Sequence, residues 1–557
     1  MAATAITPAP LQGQEVITPS IRSVTLTAKE KKYDRQLRLW AASGQQALED
    51  ANILLLNSGA GVVGIETLKN LILPGVGQFT IVDEANVRES DLGANFFLAE
   101  DGLGKSRAQE ACNFLRELNP EVRGSGIRES TADFISDKNS LDPHTLILLV
   151  GPAKSETVQQ LSKYASQRSI PLFYIHSVGF YSHFSVQLPD QFPCVDTHPE
   201  PETTEDLRLL EPWPELLNYM EVKTHDLGSL SDHEHGHIPY LLLLLYYLEE
   251  WKSSHDGRPP NGFPEKKAFR TLVEKATRTD NPEGGEENYE EAVKAVNKSL
   301  NPPEISSGLR QIFESEDCKR PNAKTANFWV IAHAIREFHS RHGVLPLPGT
   351  VPDMKAQSAD YVQLQNIYKA KARKDLAEVV ESVRTTEKDF MQDSKIDDRE
   401  IEAFCKGAAS VKLIKGRPLQ IASSEPRELA WSDTAKSLCQ ELGDEGSLFP
   451  IYLAFMAYDG ASPRDHETMK AYCNDTVACL QKQSGGSSID VEDIQGRVEK
   501  FVAELVRAEG GELHNISALT GGMIAQEVIK VITKQYIPFD NTCVFDGIAS
   551  KAGVFRV

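Results

Sequence analysis

The sequence predicts an α/β protein: a parallel sheet begun in the first third of the chain and completed at its end, with a large, mainly α-helical insertion between. Three observations carry this. An apolar run at 53–56 is followed by a glycine-rich turn, a helical pattern through Leu73 and a second apolar run at 79–82, the order of a β-α-β unit. From about residue 190 to about 505 the apolar spacing is helical, broken by polar loops such as SSHDGRPPNGFPEKK (253–267) and LPLPGT (345–350). At His514 a strongly apolar helix begins, followed by two short strands at 543–545 and 554–556. That last piece is too small to bury a core of its own, so it completes the first domain. The division is then 1–29 as a disordered tail, 30–190 with 508–557 as the α/β domain, and 191–507 as the helical insertion.

The remaining elements follow in order. A helix is expected from Tyr33 to Ala51, anchored by Leu37, Trp40, Ala47 and Leu48. Further strands fall at 146–150, 172–175 and 184–188. The run YLLLLLYYL (240–248) is nine residues long, where a membrane span needs about 20, so it reads as a buried helix. The chain of 557 residues is 40% hydrophobic and 25% charged, normal for a protein with a real core. A net charge of -21 argues against general binding to nucleic acid or anionic membrane, since both need a positive face. None of the eight cysteines forms a C-x-x-C pair, which excludes a zinc ribbon and points to reduced thiols. The start MAATAITPAPLQGQ lacks the basic and apolar blocks of a secretory leader. A soluble protein of cytoplasm and nucleus is expected.

Gly59-Ala60-Gly61-Val62-Val63-Gly64 is a G-x-G-x-x-G directly after a strand and opening a helix. The first glycine permits the tight turn, the second lets a phosphate approach the backbone, and the third lets helix and strand pack closely. Free N–H groups at the helix start then face an anion. Asp83 ends the next strand, 19 residues after Gly64, where a carboxylate accepts from a ribose. An NAD-dependent oxidoreductase explains these four residues as well as an ATP enzyme does, and a retained turn that binds nothing explains them too.

The next residues narrow the choice. From Ile81 the chain reads IVDEANVRESDLGANFFLAEDGLGKSRAQEACNFLRELNP, preceded by the arm KYDRQLRLW (32–40) and matched near the end by HNISALTGGMIAQEVIKVITKQY (514–536). In this order, around a helical insertion, these segments resemble the ubiquitin-activating enzyme family, with its ThiF/MoeB-like, Rossmann-like adenylation fold. Within the insertion, EDLRLLEPWPEL (205–216), ENYEEAVKAVN (287–297), FWVIAHAIREF (328–338) and YVQLQNIYKAKARKD (361–375) resemble the regulatory-subunit branch that serves neddylation.

The resemblance also shows what is missing. Active members follow the second strand with Asp-x-Asp, then Asn-Leu-Asn-Arg-Gln, then Gly-x-x-Lys. Here Asp83 keeps the first acid, Ala85 replaces the second, the next run reads Asp91-Leu92-Gly93-Ala94-Asn95, and Arg107 holds the lysine position. Adenylation needs cations on the phosphates and acids for ribose and magnesium. Ala85 cannot hold ribose, Ala94 cannot neutralise phosphate, and Asp91 adds the wrong charge. The resemblance therefore implies an inactive adenylation domain beside a catalytic partner subunit that holds ATP and magnesium. The glycines and Asp83 would then be vestigial, with no cofactor bound productively by this chain. It further implies Arg35 reaching in trans to the partner's ATP, a ubiquitin-like modifier as substrate, and a conjugating enzyme met through the complex. A pure scaffold is the alternative.

Single residues take plainer readings. Cys194, in FPCVDT, has the wrong spacing for a thioester nucleophile, and Asp196 and Glu200 deny it a cationic setting. His233, His235 and His237 alternate as HEHGH, unlike the i, i+4 ligands of a metal helix, and read as a solvated loop. In the helix from His514, Ala518, Gly522 and Ala525 form a small-residue stripe, and Ile516, Leu519, Met523 and Val531 its apolar face.

Overall fold

Residues 27–197, 206–281, 285–389, 395–486 and 490–557 are described by the computed structural model. The expected tail lies outside them up to residue 26. From Thr27, whose hydroxyl caps the helix Ala28–Lys32, the chain is already folded.

Ile53, Leu54, Leu55 and Leu56 are all buried. Successive side chains point to opposite faces, so this run demands cover on both sides. It forms β1 (Asn52–Leu56), flanked in parallel by β2 (Gln78–Val82) and β4 (Leu146–Val150). β3 (Arg123–Ile127) extends the sheet beyond β2, and β5 (Leu172–Val178) beyond β4. β6 (Tyr181–Gln187) turns back antiparallel to β5. β7 (Phe192–Val195) leaves the sheet and pairs with β8 (Val411–Ile414). β9 (Thr542–Asp546) and β10 (Lys551–Phe555) return beside β6. The order is β10-β9-β6-β5-β4-β1-β2-β3. It reverses between β1 and β4, so the loops after those strands open a crevice at their carboxyl ends.

Three strands escape the apolar pattern. β3 reads Arg-Gly-Ser-Gly-Ile and sits at the sheet edge, where no large side chains are required. β7 and β8 form a separate two-stranded ribbon. β6 begins three residues earlier than its apolar run, because Ser182 and His183 are buried although polar.

One face of the sheet packs on the helices Val62–Ile72, Arg107–Leu118 and His514–Thr533, sharing a core with Leu55, Leu68, Ala111, Ile524 and Val528. The helix Ser155–Arg168 covers part of the other face through Val158 and Leu161. The rest of that face is covered from inside the insertion. Phe449 and Phe455 of helix Phe449–Gly460 and Leu505 of helix Val491–Ala508 share a core with Val178, Tyr181 and Val544 of the sheet. The segment 191–507 is therefore not one body: its last helices are a layer of the α/β domain. Its earlier part has two further cores. One gathers around the helix Tyr240–Ser254, with Trp213, Phe269 and Tyr289; the other includes Trp329, Ile335 and Phe404. The long helix Ser358–Asp389 serves both, through Leu364 and Tyr368 in one and Val379 and Val383 in the other.

The expected helix at 33–51 spans Asp34–Asp50 but breaks at Trp40 and Ala41, where Ala41 has φ 55°. Trp40 is buried, with its Nε1 donating to Gln45 Oε1 at 3.2 Å. Leu37 and Ala47 are only partly buried, and Leu39 is half exposed, so the kink and not a continuous apolar stripe seats this arm.

Candidate functional site

The glycine loop lies in the crevice at the switch point. Gly59 and Gly61 take φ of 59° and 67°, the left-handed region that side chains avoid. A Cβ on Gly61 would stand 2.3 Å from Asn57 Nδ2, and one on Gly64 2.9 Å from Leu55 Cδ1 and Val150 Cγ2. The loop thus has the turn and the close helix–strand packing the motif calls for. No side chain within the loop caps the helix Val62–Ile72. Its first N–H groups instead find a carboxylate from the far end of the chain. Val62 N donates to Glu512 Oε1 at 3.1 Å, and Val63 N to Glu512 Oε2 at 2.8 Å. Ser517 Oγ donates to the same carboxylate at 2.6 Å. Glu512 is 8% exposed, and burial pushes its pKa above the usual carboxylate range, opposed by the Ser517 and backbone hydrogen bonds. The position a phosphate takes on such a loop holds the chain's own anion.

Asp83 is equally engaged. Arg107 binds it bidentately, Nε to Oδ2 at 2.8 Å and Nη2 to Oδ1 at 3.1 Å. The same guanidinium donates to the carbonyl oxygens of Gly59 at 2.9 Å and Ala60 at 3.3 Å, and lies 3.6 Å from Asp91 Oδ1. Asn57 Nδ2 and the backbone N–H of Ala85 complete the shell of Asp83 at 3.0 and 2.9 Å. Arg107, Asp83 and Asp91 are all buried. A planar fork matched to a carboxylate is the strong form of this pair. The structure brings the glycines, Asp83, Asp91 and Arg107 together, and a ribose entering here has to displace Arg107 from Asp83. Glu512 carries no local motif, so sequence reasoning passed it over.

Arg35 stands apart. It is exposed, in the first turn of Asp34–Asp50, and makes no hydrogen bond or ion pair among the described residues; its neighbours Asp34 and Arg38 pair at 2.9 Å. Cys194 is buried in β7, its thiol donating to the Tyr536 carbonyl oxygen at 3.1 Å. Burial, with Asp196 next, pushes its pKa up to about 12, which leaves no thiolate at neutral pH. Glu200 lies outside the described residues.

Two expectations need correction. HEHGH is not a solvated loop. Ser231 caps a short helix, Asp232–His235, that buries His235. His235 Nδ1 lies 2.6 Å from Glu286 Oε1, Nε2 lies 3.1 Å from the Tyr289 hydroxyl, and the ring stacks on Tyr289. Only His233 of the three is exposed. In the helix His514–Thr533 the small residue at the close crossing is Gly521, which the stripe Ala518, Gly522 and Ala525 leaves out. A Cβ on Gly521 would meet the backbone of Glu66 and Thr67 at 2.9 Å, whereas Gly522 has open space. Leu519 is half exposed, while Ile524 and Val528 face the core.

Residues 33–553 match the ThiF family, which defines the class to which this sheet, loop and C-terminal helix belong. Similar proteins narrow it. The NEDD8-activating enzyme E1 regulatory subunit of Danio rerio is 34% identical, over 95% of this chain and 99% of its own length. That of Xenopus laevis is 34% identical over 95% and 99%, and that of Drosophila melanogaster 34% over 97% and 100%. The chain belongs to the family of NEDD8-activating enzyme E1 regulatory subunits. These matches run through the helical insertion as well as the glycine loop, and they do not support an oxidoreductase.

Proposed function

We propose that this chain is the regulatory half of a heterodimer that activates a Nedd-type ubiquitin-like modifier, and that it neither forms the adenylate nor carries the thioester. The observation that carries the negative half of this reading is the self-filled crevice: Arg107 closes on Asp83 while Glu512 takes the helix N-terminus. The glycines and Asp83 then form a vestigial loop, and ATP and magnesium belong to the catalytic partner. Cys194, buried and protonated, supports the absence of a thioester here. The conjugating enzyme is met through the complex, in cytoplasm and nucleus, without nucleic acid or membrane.

Arg35 is the group this chain lends. A guanidinium keeps its charge at any physiological pH and binds phosphate bidentately, and Arg35 is exposed with its donors unused. Phe96, stacked on His514 at 3.8 Å between ring centres and 66% exposed, supports an apolar partner contact near the start of the same C-terminal helix. Arg35→Ala is expected to leave assembly intact and slow adenylation by the heterodimer roughly 30- to 1,000-fold, the equivalent of about 2–4 kcal/mol for one lost donor in a dry site. Pyrophosphate exchange at saturating modifier, beside gel filtration, measures this; an unchanged rate favours a pure scaffold. The isolated chain is expected to show no exchange above background. Cys194→Ala is expected to leave the modifier thioester of the heterodimer unchanged on a non-reducing gel, and a lost band would return Cys194 to the chemistry.

A further inference from the structure

On the face of the sheet covered by helix Phe449–Gly460, β5 and β6 place His176 and His183 directly opposite each other in register. Asp459 comes from the last turn of that helix. One ligand atom from each of the three lies within 4.8 Å of the other two. His176 is 1% exposed and His183 3%, and their walls are aromatic. Phe455 lies 5.1 and 4.7 Å from the two rings, Tyr458 5.4 Å from His176, and Tyr452 5.3 Å from His183. In this setting all four ring nitrogens and Asp459 Oδ1 lack a hydrogen-bond partner. The other carboxylate oxygen, Oδ2, accepts from the Tyr174 hydroxyl at 2.6 Å, which leaves Oδ1 turned towards the histidines. Buried polar atoms are almost always paired, and one ligand atom from each of three side chains gathered in so apolar a setting calls for a ligand.

The geometry selects its kind. His176 Nδ1 and Asp459 Oδ1 are 3.2 Å apart but out of line for a hydrogen bond. Two ligands of a tetrahedral zinc ion, at bond lengths of about 2.0–2.1 Å, stand about 3.3 Å apart. A cavity of about 20 Å³, lined in part by Tyr174, His183, Tyr452 and Asp459, adjoins the cluster and has room for a water. Two imidazoles and one carboxylate suit a borderline divalent ion over calcium or magnesium, which take oxygen ligands.

We propose that His176, His183 and Asp459 bind one divalent transition-metal ion, zinc foremost, with a water from the adjoining cavity as fourth ligand. Tyr174 orients the carboxylate. The ion clamps the last part of the insertion to the sheet, since two ligands come from strands and one from the covering helix. The test is titration of the full-length chain, freed of metal by chelator, with Zn²⁺ by calorimetry and with Co²⁺ by visible absorption. One equivalent, a tetrahedral cobalt spectrum and a raised melting temperature are expected. Tyr174→Phe should weaken binding about 10-fold, and His183→Phe or Asp459→Asn about 100-fold or more, a ligand counting for more than the group that orients it. Asp459→Asn keeps the shape of the side chain and decides the matter should His183→Phe fail to fold. A wild-type chain that takes up no stoichiometric ion, or an Asp459→Asn chain that binds it equally well, overturns the proposal.

Discussion

Two buried polar clusters flank this sheet, and they are opposites. At the glycine-loop crevice Asp83, Arg107 and Glu512 are buried and hydrogen-bonded to one another or to backbone. Between β5, β6 and helix Phe449–Gly460, His176 and His183 are buried, and none of their ring nitrogens has a hydrogen-bond partner among the described residues. The first cluster has answered its own desolvation from within the chain and is closed; the second has not and is open to a ligand. A motif thus says less about occupancy than the hydrogen-bond account of the atoms around it. The G-x-G-x-x-G carries the textual mark of a ligand site and is filled by the chain's own side chains, while the histidine pair carries no motif and has no hydrogen-bond partner among the described residues.

Substitutions can break this contrast. Arg107→Ala leaves Asp83 and Asp91 buried without their cation and should cost about 3–5 kcal/mol, read as a lower denaturant midpoint; Arg107→Lys should recover part of it. A loss below 1 kcal/mol would mean that water replaces the guanidinium and that the crevice is not closed. Glu512→Ala orphans the N–H groups of Val62 and Val63 and should cost about 1–3 kcal/mol. It should also make the chain respond to sulfate, whose binding at the freed helix start would raise the melting temperature of the variant and not of wild type. Because burial raises the pKa of Glu512 from its ordinary 4.5, the folded chain holds this proton more tightly than the unfolded chain. Its contribution is therefore most favourable below pH 4.5 and is lost as pH rises through the folded value. Glu512→Gln should remove that slope from a pH series of unfolding curves. The smallest change is expected at the other cluster. With metal stripped, His183→Phe replaces two orphan nitrogens by ring carbon and should stay within about 1 kcal/mol of wild type, on either side. A loss as large as that of Arg107→Ala would show that His183 is satisfied after all.

Much of the fold could be read from the text because its central strands are apolar on both faces. β4 falls where the run at 146–150 places it, and β1 and β2 differ by one residue at the start. Legibility fails where the reason for an element lies elsewhere in the chain. β3 has no apolar run because an edge needs none. His183 is buried in β6 because a helix some 270 residues on covers it. Trp40 ends a straight helix only because Gln45, Gly44 and Gln535 form the pocket that receives it. At the glycine loop the text supplied Gly59, Gly61, Gly64, Asp83 and Arg107, all of them close in space. Glu512, which fills the site, is one glutamate in an isolated bridge to Gly179, and only the tertiary fold brings it to Val62 and Val63.

That contact spans 450 positions in the chain, which has a consequence for biosynthesis. Strands β9 and β10 and the residue that caps the helix Val62–Ile72 leave the ribosome long after that helix does. At roughly 5–20 residues per second, the helix beginning at Val62 waits about 20–90 seconds for its capping carboxylate. During that interval the nascent sheet is short of two strands and its loop is bare, while the intervening helices can already pack on their own cores. The unfinished domain is thus a part of the newborn chain in need of a chaperone, and the arrival of Glu512 is the event that seals it.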